Sequence, residues 1–157
     1  MKFKLSNEFI RGLVVGEGCF TFHTNGLKKN DDGTIGRWKI PAFALSMHNR
    51  DRDLINSVAD KLGLDDMVYT HKSSQKDGIK RGDKSTLAVR KFSSLKDVVV
   101  PFFYKKLSGY KAIQFENWVK NIGEDPDVRE SYKLIYRLYK SGYWDKRSNY
   151  IHKDLYD

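Results

Sequence analysis

Cysteine and long hydrophobic runs are scarce in this chain. Cys19 is the one cysteine among 157 residues, which excludes an internal disulfide and any zinc cluster built from cysteines. No uncharged apolar run approaches the roughly 20 residues that a membrane-spanning helix needs. Residues 1–5 contain too little apolar sequence for a signal peptide. We therefore expect an intracellular protein, and the host and its compartment stay open.

Acidic residues are outnumbered by basic ones. Lysine and arginine total 29 against 20 aspartates and glutamates, which gives a net charge of +9 and an isoelectric point near 9.5. Such an excess favours a polyanionic partner, through long-range attraction and the release of counterions. Nucleic acid is the first expectation. An anionic membrane is the second, and because a spanning segment is missing we expect no membrane partner.

Length and composition suit one folded domain. A chain of 157 residues can bury a core but is too short for two substantial domains. Hydrophobic residues make up 39% and aromatic residues 13%, as in folded proteins. We predict the domain over residues 1–140. Residues 141–157, with tyrosines and a tryptophan among mixed charges, are predicted to form a docked C-terminal tail.

Hydrophobic periodicity predicts the order α-β-β-α-β-β, followed by C-terminal helices. Pro101 and Pro126 are predicted to break helices, and Ser93 and Asp125 to cap them. The fold class is therefore α/β, of the α+β kind, with a four-stranded antiparallel sheet. After a first helix, the predicted elements are strands over 19–24 and 38–46, a helix over 50–62, strands over 67–73 and 85–92, and helices over 93–103, 109–122 and 127–139.

The first predicted helix has an unusual glycine pattern. Ser6 or Asn7 can cap it, and Gly16 and Gly18 are predicted to stop it. Gly12 and Gly16 are four residues apart, so two positions without side chains share one face. Another backbone can approach such a face closely. The pattern favours a tight helix pair, although the same glycines can also pack a helix inside a monomer.

Glu17 is predicted to lie at the C-terminal end of this helix. There the helix dipole disfavours a carboxylate by a few tenths to about 1 kcal/mol. If two copies of the helix pair through their glycines, two Glu17 side chains arrive side by side, and a divalent cation would relieve their repulsion. The alternative is a solvated glutamate at a helix end.

Residues 10–18, Ile-Arg-Gly-Leu-Val-Val-Gly-Glu-Gly, resemble the LAGLIDADG motif of homing endonucleases. Arg11 replaces a residue that is usually small, so we expect it at the rim of the helix pair or against a partner group. Val15 replaces a common acidic residue. The resemblance continues through later blocks and covers roughly residues 7 to 120; these blocks are residues 41–45, 48–51 with 54–55, 101–103, and 107–111 with Phe115.

This resemblance implies an endonuclease that cuts both strands of double-stranded DNA. Members with one motif are homodimers, and here Gly12, Gly16, Leu13 and Arg11 would form the dimer interface. Mg²⁺, with Mn²⁺ as a substitute, would be held by the Glu17 carboxylate and the Gly16 carbonyl. The target would be a long, near-palindromic site cut across the minor groove to leave short 3′ overhangs. Such enzymes are commonly intron-encoded.

A basic residue is expected near each scissile phosphate, to polarise water or stabilise the transition state. Lys111 is the first candidate by the resemblance. Lys106 is the second, because this region is about one residue shorter than the family pattern. His48 and Arg50 are expected to line the same water pocket.

Strand alternation predicts which residues face DNA. Thr21, His23 and Asn25, and by extension Leu27, lie opposite the core face. Whether Arg37 or Trp38 continues that face in the second strand depends on any bulge at Pro41. The basic loop after the third strand is expected to meet phosphates. The full set of expected DNA contacts is Cys19, Thr21, His23, Asn25, Lys28, Lys29, Arg37, Lys39, Ala42, Ala44, Ser46, Tyr69, His71, Ser73, Lys80, Arg81 and Arg90.

Two other functions are compatible with the same fold. Some relatives are maturases that assist the folding of intron RNA, and others are DNA-binding regulators that do not cut. Retention of Glu17 favours cleavage, because a protein that only binds has no need for paired acids at a helix end. A basic coat protein without site preference is a third reading.

Overall fold

The computed structural model describes residues 1–72 and 82–157. The elements are α1 (Asn7–Glu17), β1 (Gly18–Lys29), β2 (Ile35–His48), α2 (Arg52–Leu62), β3 (Val68–His71), β4 (Lys84–Val89), α3 (Phe92–Ser94), α4 (Val100–Phe103), α5 (Gly109–Glu124) and α6 (Leu134–Lys140). A π-helical turn joins α3 to α4, and short 3-10 turns connect several other elements. The strands form one antiparallel sheet in the order β1-β2-β4-β3, which confirms the predicted α+β class.

Ser6, one of the two expected caps, is the N-cap of helix α1. The Ser6 hydroxyl accepts a hydrogen bond from the N–H of Phe9 at 3.1 Å, which satisfies one of the N–H groups left unpaired at a helix start. Gly18 ends the helix, and its N–H donates to the carbonyl of Val14. A Cβ at Gly18 would lie 2.5 Å from the Val14 side chain. Because α1 runs through Gly16 and ends only at Gly18, the stop predicted at Gly16 was wrong.

Strands β1 and β2 form a long hairpin whose register decides which side chains share a face. Thr21 pairs with Ala42, and Asn25 pairs with Trp38. Paired residues of antiparallel strands lie on the same face, and faces alternate along each strand. The register shifts once, after Asn25, where Gly26 adopts φ +70°. An extra residue with positive φ is the mark of a β-bulge at a glycine.

The core lies between the helices and one face of the sheet. The Phe20 ring centroid is 5.3 Å from that of Phe43, 5.0 Å from that of Phe115 and 5.1 Å from that of Trp118. All four side chains are at most 4% exposed. Two come from the sheet and two from α5, so this cluster fixes α5 against the start of β1. In the described part of the chain, no helix is long and apolar enough to cross a membrane.

Pro101 does not break the helical run, which continues from α3 through α4. Proline lacks an N–H, and its ring clashes with the carbonyl four residues earlier in a regular helix. The π turn Leu95–Val99 directly precedes it, with the Val100 N–H bonded to the Leu95 carbonyl, and this wider turn accommodates the proline. Ser93 lies inside α3, whose N-cap is Lys91. The predicted break and the predicted cap were therefore wrong.

The helix predicted over 127–139 is shorter than expected. Helix α6 starts only after a 3-10 turn, Glu130–Tyr132. The carboxylate of Asp125 accepts the N–H of Asp127 at 2.8 Å, and Val128 forms a parallel bridge with β2. Extended pairing at Val128 is incompatible with helix, so Asp125 does not cap α6.

The C-terminal residues 141–157 pack back onto the helices through short turns. Trp144, Tyr150 and Leu155 are each at most 4% exposed. The Tyr150 hydroxyl donates to the carbonyl of Pro101, a residue of α4, at 2.8 Å. These contacts bring the end of the chain beside α1.

Candidate active site and nucleic-acid interface

One face of α1 is open at its glycines. A Cβ added at Gly12 or Gly16 would meet no atom of the described residues within 4 Å. Both glycines are exposed, and Leu13 is half-buried. The chain therefore presents a strip of bare helix backbone that a second helix can approach closely.

Glu17 is the last residue of α1, and its side chain is exposed. Within residues 1–72 and 82–157, its carboxylate has no hydrogen bond or ion pair. The last carbonyls of a helix have no partner inside the helix, and Gly16 is among these residues. Carboxylate and carbonyl oxygens are the ligands that Mg²⁺ prefers, so the residues present fit this ion.

One chain does not supply a cluster of acidic ligands here. In the described ranges, no group of three or more His, Cys, Asp or Glu residues could hold a metal ion. Glu17 is a single carboxylate at the end of an open helix face. The described residues therefore do not supply the paired acids at this helix end.

Helix α5 carries a row of side chains that bind the start of β1. The Lys111 ammonium donates to the Gly18 carbonyl, the Gln114 amide oxygen accepts the Phe20 N–H at 3.3 Å, and the Trp118 indole donates to the Thr21 carbonyl at 2.8 Å. Because these three side chains follow helical spacing, they lie on one face of α5. The row fixes the backbone that immediately follows Glu17.

Sequence reasoning missed Gln114 and Trp118 as partners of this backbone. Their spacing from Lys111, three and seven residues, is a signal for one helix face. It does not identify the strand that the face meets, because that strand lies more than 90 residues away in the chain.

The two candidate lysines lie in different places. Lys111 is half-buried and contacts the residue after Glu17. Lys106 is exposed, with its ammonium 5.4 Å from the centroid of the Tyr156 ring. It lines a surface cavity together with Gly12 and Val15, beside the middle of α1.

His48 and Arg50 contact each other. Within the described part of the chain, neither forms a hydrogen bond with Lys111 or Lys106. The Nδ1 atom of His48 accepts the backbone N–H of Arg50 at 3.0 Å, and its ring packs over Gly82, where an added Cβ would lie 1.9 Å from Nε2. Gly18 pairs with Leu45, so His48 lies about 10 Å further along β2 at the usual rise per residue. Both side chains are exposed.

The register assigns most expected DNA contacts to one face of the sheet. Cys19, Thr21, His23 and Asn25 alternate with the core residues of β1. Pairing places their partners on the same face. These partners and further members across the sheet are Ala42, Ala44, Ser46, Tyr69, His71 and Arg90. Apart from Ala42, these side chains are exposed or half-buried.

The bulge at Gly26 decides the ambiguous positions. No register shift occurs at Pro41, so Trp38 and not Arg37 continues the face of Ala42 in β2. Beyond the bulge, Leu27 pairs with Arg37, which places both on the opposite face. Lys29, two residues further on, follows Leu27. The extension of the DNA face to Leu27 is thereby corrected, and so are the expected contacts at Arg37 and Lys29.

One further expected contact is corrected by burial, and two of the expected lysines have acidic partners within the chain. Ala42 is 0% exposed, so its side chain cannot reach DNA. The Lys39 ammonium donates to the Asp125 carboxylate at 2.7 Å, and this hydrogen bond raises the pKa of Lys39. The Lys28 ammonium binds the Asp127 carboxylate at 3.0 Å. The expected DNA contacts at Lys28 and Lys39 stay predictions. The expected contacts at Ser73, Lys80 and Arg81 lie outside the described residues.

Arg11 belongs to the interior of its own chain, which corrects its expected place at the dimer interface. It is 5% exposed, and its guanidinium donates to the carbonyls of Phe102, Leu155 and Asp157 at 3.0, 2.9 and 2.7 Å. The guanidinium also lies 4.4 Å from the Phe102 ring centroid. Burial lowers the pKa of Arg11, but a guanidinium stays charged in proteins. Arg11 thus joins α1 to α4 and the C-terminal tail.

Comparison with protein families matches residues 10–122 to the model described as LAGLIDADG endonuclease. Comparison with curated protein sequences finds no significant match.

Solved structures with a similar fold include three homing endonucleases or meganucleases. I-SmaMI bound to cleaved DNA is 25% identical with a TM-score of 0.59, and the match covers 90% of this chain and 45% of that one. The homing endonuclease I-TnaI is 22% identical with a TM-score of 0.55, covering 95% and 82%. The meganuclease I-CpaMI bound to uncleaved DNA is 18% identical with a TM-score of 0.61, covering 96% and 46%. This chain thus spans less than half the length of I-SmaMI and I-CpaMI.

Proposed function

The chain belongs to the LAGLIDADG endonuclease family, and from this premise we propose that it is a site-specific endonuclease of double-stranded DNA that works as a homodimer. The relatives I-SmaMI and I-CpaMI have been crystallised with DNA. The net charge of +9 supports a DNA partner, because counterion release drives basic proteins onto the duplex. An intron-encoded origin is part of the same proposal.

The observation that carries the proposal is an open helix face that ends in an unpaired acid. Gly12 and Gly16 leave α1 bare on one side, and Glu17 follows at its end. Two α1 helices that cross at these glycines bring two Glu17 carboxylates together. Repulsion between the paired acids is relieved by divalent cations, which links dimer formation to metal binding.

The homodimer places two sheets side by side over the duplex. Each sheet presents His23, Asn25, Tyr69 and His71 as exposed polar side chains on the face away from its helices. Strands can enter the major groove, where base edges differ between all four base pairs. A twofold protein requires a near-palindromic target. The proposed cut crosses the minor groove and leaves short 3′ overhangs.

The chemistry is hydrolysis of one phosphodiester bond on each strand. Glu17 and the carbonyl of Gly16 would hold Mg²⁺ or Mn²⁺, which neutralises charge on the phosphate and lowers the pKa of water. Lys111 is fixed beside Gly18 and supplies positive charge where the transition state gains negative charge. His48, at the end of β2, and Arg50, in the turn that follows, are proposed to order water and phosphate near this site.

The test is digestion of a randomised plasmid library with Mg²⁺, with Ca²⁺ as the control ion. Wild type is compared with Glu17→Gln, which keeps the shape of the side chain and removes its charge. Glu116→Gln is the matched control, because Glu116 is an exposed acid on α5 outside the proposed site. The measurement is the amount of linear product and the sequence at its ends, together with duplex affinity.

We expect wild type and Glu116→Gln to linearise plasmids that carry one long near-palindrome, and only with Mg²⁺. Glu17→Gln should keep duplex affinity and lose cutting. Tight binding without cutting by wild type would favour a non-cleaving regulator, and preferred binding of structured RNA would favour a maturase. Loss of duplex affinity in Glu17→Gln would overturn the assigned role of Glu17.

A further inference from the structure

Trp38 carries a stacked arginine on the side of the sheet that faces away from the helices. The Arg129 guanidinium carbon lies 4.7 Å from the centroid of the Trp38 ring. The Lys28 ammonium also lies over this ring, at 5.1 Å. Trp38 pairs with Asn25 in the register, so it shares the face of the exposed polar residues of β1.

The segment that holds Arg129 extends the sheet beyond its four strands. The Lys39 N–H donates to the Asp127 carbonyl at 2.9 Å, and Lys39 and Val128 form a parallel bridge. The segment thus lies beside β2, at the part of β2 that β4 does not reach. This backbone pairing fixes Arg129 at the sheet edge, next to Trp38.

The acids around Arg129 are occupied by other cations. Asp125 binds Lys39 at 2.7 Å, Asp127 binds Lys28 at 3.0 Å, and Glu130 binds Arg137 at 3.3 Å. Arg129 is exposed, and within residues 1–72 and 82–157 it forms no ion pair. The arginine therefore keeps its full charge for an external anion.

A second arginine lies near the first. Tyr132 donates its hydroxyl to the Arg90 carbonyl at 2.8 Å. The Tyr132 N–H donates to the Arg129 carbonyl at 3.0 Å, so one residue joins the backbones of both arginines. Burial raises the pKa of Tyr132, and the positive charges of Arg129 and Arg90 oppose that rise. Arg90 follows β4 on the same face as Ser46 and Tyr69. The patch formed by Trp38, Arg90 and Arg129 is therefore cationic.

We propose that the patch of Trp38, Arg90 and Arg129 is a backbone-binding site for double-stranded DNA, in which Trp38 holds the Arg129 fork ready for one phosphate. A planar guanidinium pairs with two phosphate oxygens at once, and stacking on an aromatic ring reduces the freedom that it loses on binding. The site extends the DNA-binding surface of the protein beyond the four strands of the sheet. This inference rests on the proposed DNA binding of the chain, but it does not depend on cleavage.

The test uses duplexes of random sequence, because phosphate contacts do not depend on sequence. The affinity of the full chain is measured by fluorescence anisotropy over a series of salt concentrations. Each phosphate contact contributes about 0.9 to the slope of log affinity against log salt. Arg129→Gln is compared with Arg147→Gln, an exposed arginine of the C-terminal tail whose guanidinium is 3.8 Å from Asp157 and which gives the same change in net charge.

Arg129→Gln should reduce the slope by about one for each bound chain, and Arg147→Gln should leave the slope unchanged. Equal slopes in wild type and Arg129→Gln, with tight binding by both, would overturn this inference and leave the proposed function standing. A wild type that binds no duplex would overturn both. Thermal unfolding of each variant shows whether the fold is intact.

Trp38 provides an independent measurement. Trp118 and Trp144 are each 2% exposed, whereas Trp38 is half-buried, so acrylamide quenches mainly Trp38. Bound duplex should reduce the acrylamide quenching of wild type. This reduction should be absent in Trp38→Phe. Unchanged quenching of wild type on saturation with duplex would place the patch outside the binding surface.

Discussion

The Lys111 ammonium donates a hydrogen bond to the carbonyl of Gly18, the residue that directly follows Glu17. If this lysine stabilises the transition state, Lys111→Met should lower the cutting rate about 100- to 1000-fold and leave duplex affinity nearly unchanged. Single-turnover cleavage of the target duplex measures the rate. Lys120→Met is the control, because Lys120 is an exposed lysine on the same helix.

Lys106→Met decides between the two candidate lysines. Lys106 lies beside Gly12 and Val15, so its loss should change the cutting rate less than the loss of Lys111. Equal or greater loss in Lys106→Met would reverse the assignment.

The open face of α1 predicts a defect in assembly and not in folding. Outside its own helix backbone, a Cβ at Gly12 meets no atom of the described residues within 4 Å, and leucine favours helix over glycine by up to about 1 kcal/mol. Gly12→Leu should therefore unfold at the same or higher denaturant concentration, but sediment as a monomer. Sedimentation equilibrium measures the mass, with Asn117→Leu on the exposed side of α5 as the control. A dimer that persists in Gly12→Leu would show that the glycine face is not the interface.

Arg11 predicts a large loss of stability. Replacement by methionine leaves three carbonyl groups without their donor, and unsatisfied buried acceptors cost about 1 to 3 kcal/mol each before relaxation. We expect the free energy of unfolding to fall by about 2 to 4 kcal/mol. Urea unfolding measures it. Arg147→Met should change it by less than about 0.5 kcal/mol, because Arg147 is exposed with its guanidinium 3.8 Å from Asp157. Similar effects of the two substitutions would mean that the Arg11 contacts contribute little.

Tyr150 predicts a loss of stability in alkali. Burial raises the pKa of its phenol from 10.0 to about 12. Above pH 10 the unfolded chain loses this proton while the folded chain keeps it, so stability is present below pH 10 and falls as the pH rises toward 12. The contribution is on the order of 2 to 3 kcal/mol. Tyr150→Phe should show a shallower decline in unfolding free energy over this interval. The same decline in both proteins would assign the effect to other groups, such as Tyr132 and Tyr139, whose pKa values burial also raises.

Much of the fold could be predicted because the signals are local. The Ser6 cap, the end of α1 beside Glu17 and the alternation in β1 depend on residues a few positions apart. Hydrophobic periodicity also indicated four strands and their antiparallel sheet. The predictions at Pro101 and after Asp125 were less accurate, because a π turn before Pro101 and a backbone bridge at Val128 overrode the local preference.

The sequence by itself determined the family, the four-stranded α+β fold and the place of Glu17 at the end of a helix with two glycines on one face. The tertiary structure decided that this face is open. Only the tertiary structure decided which charges remain available. Arg11 is bound by carbonyls more than 90 residues away, and Lys39 is bound by Asp125, 86 residues away. One bulge at Gly26 reverses the faces of the residues beyond it. The periodicity of a helix or strand indicates on which side of the element a residue lies. The partner on that side depends on how distant segments of the chain pack together. Short-range sequence patterns do not contain that information.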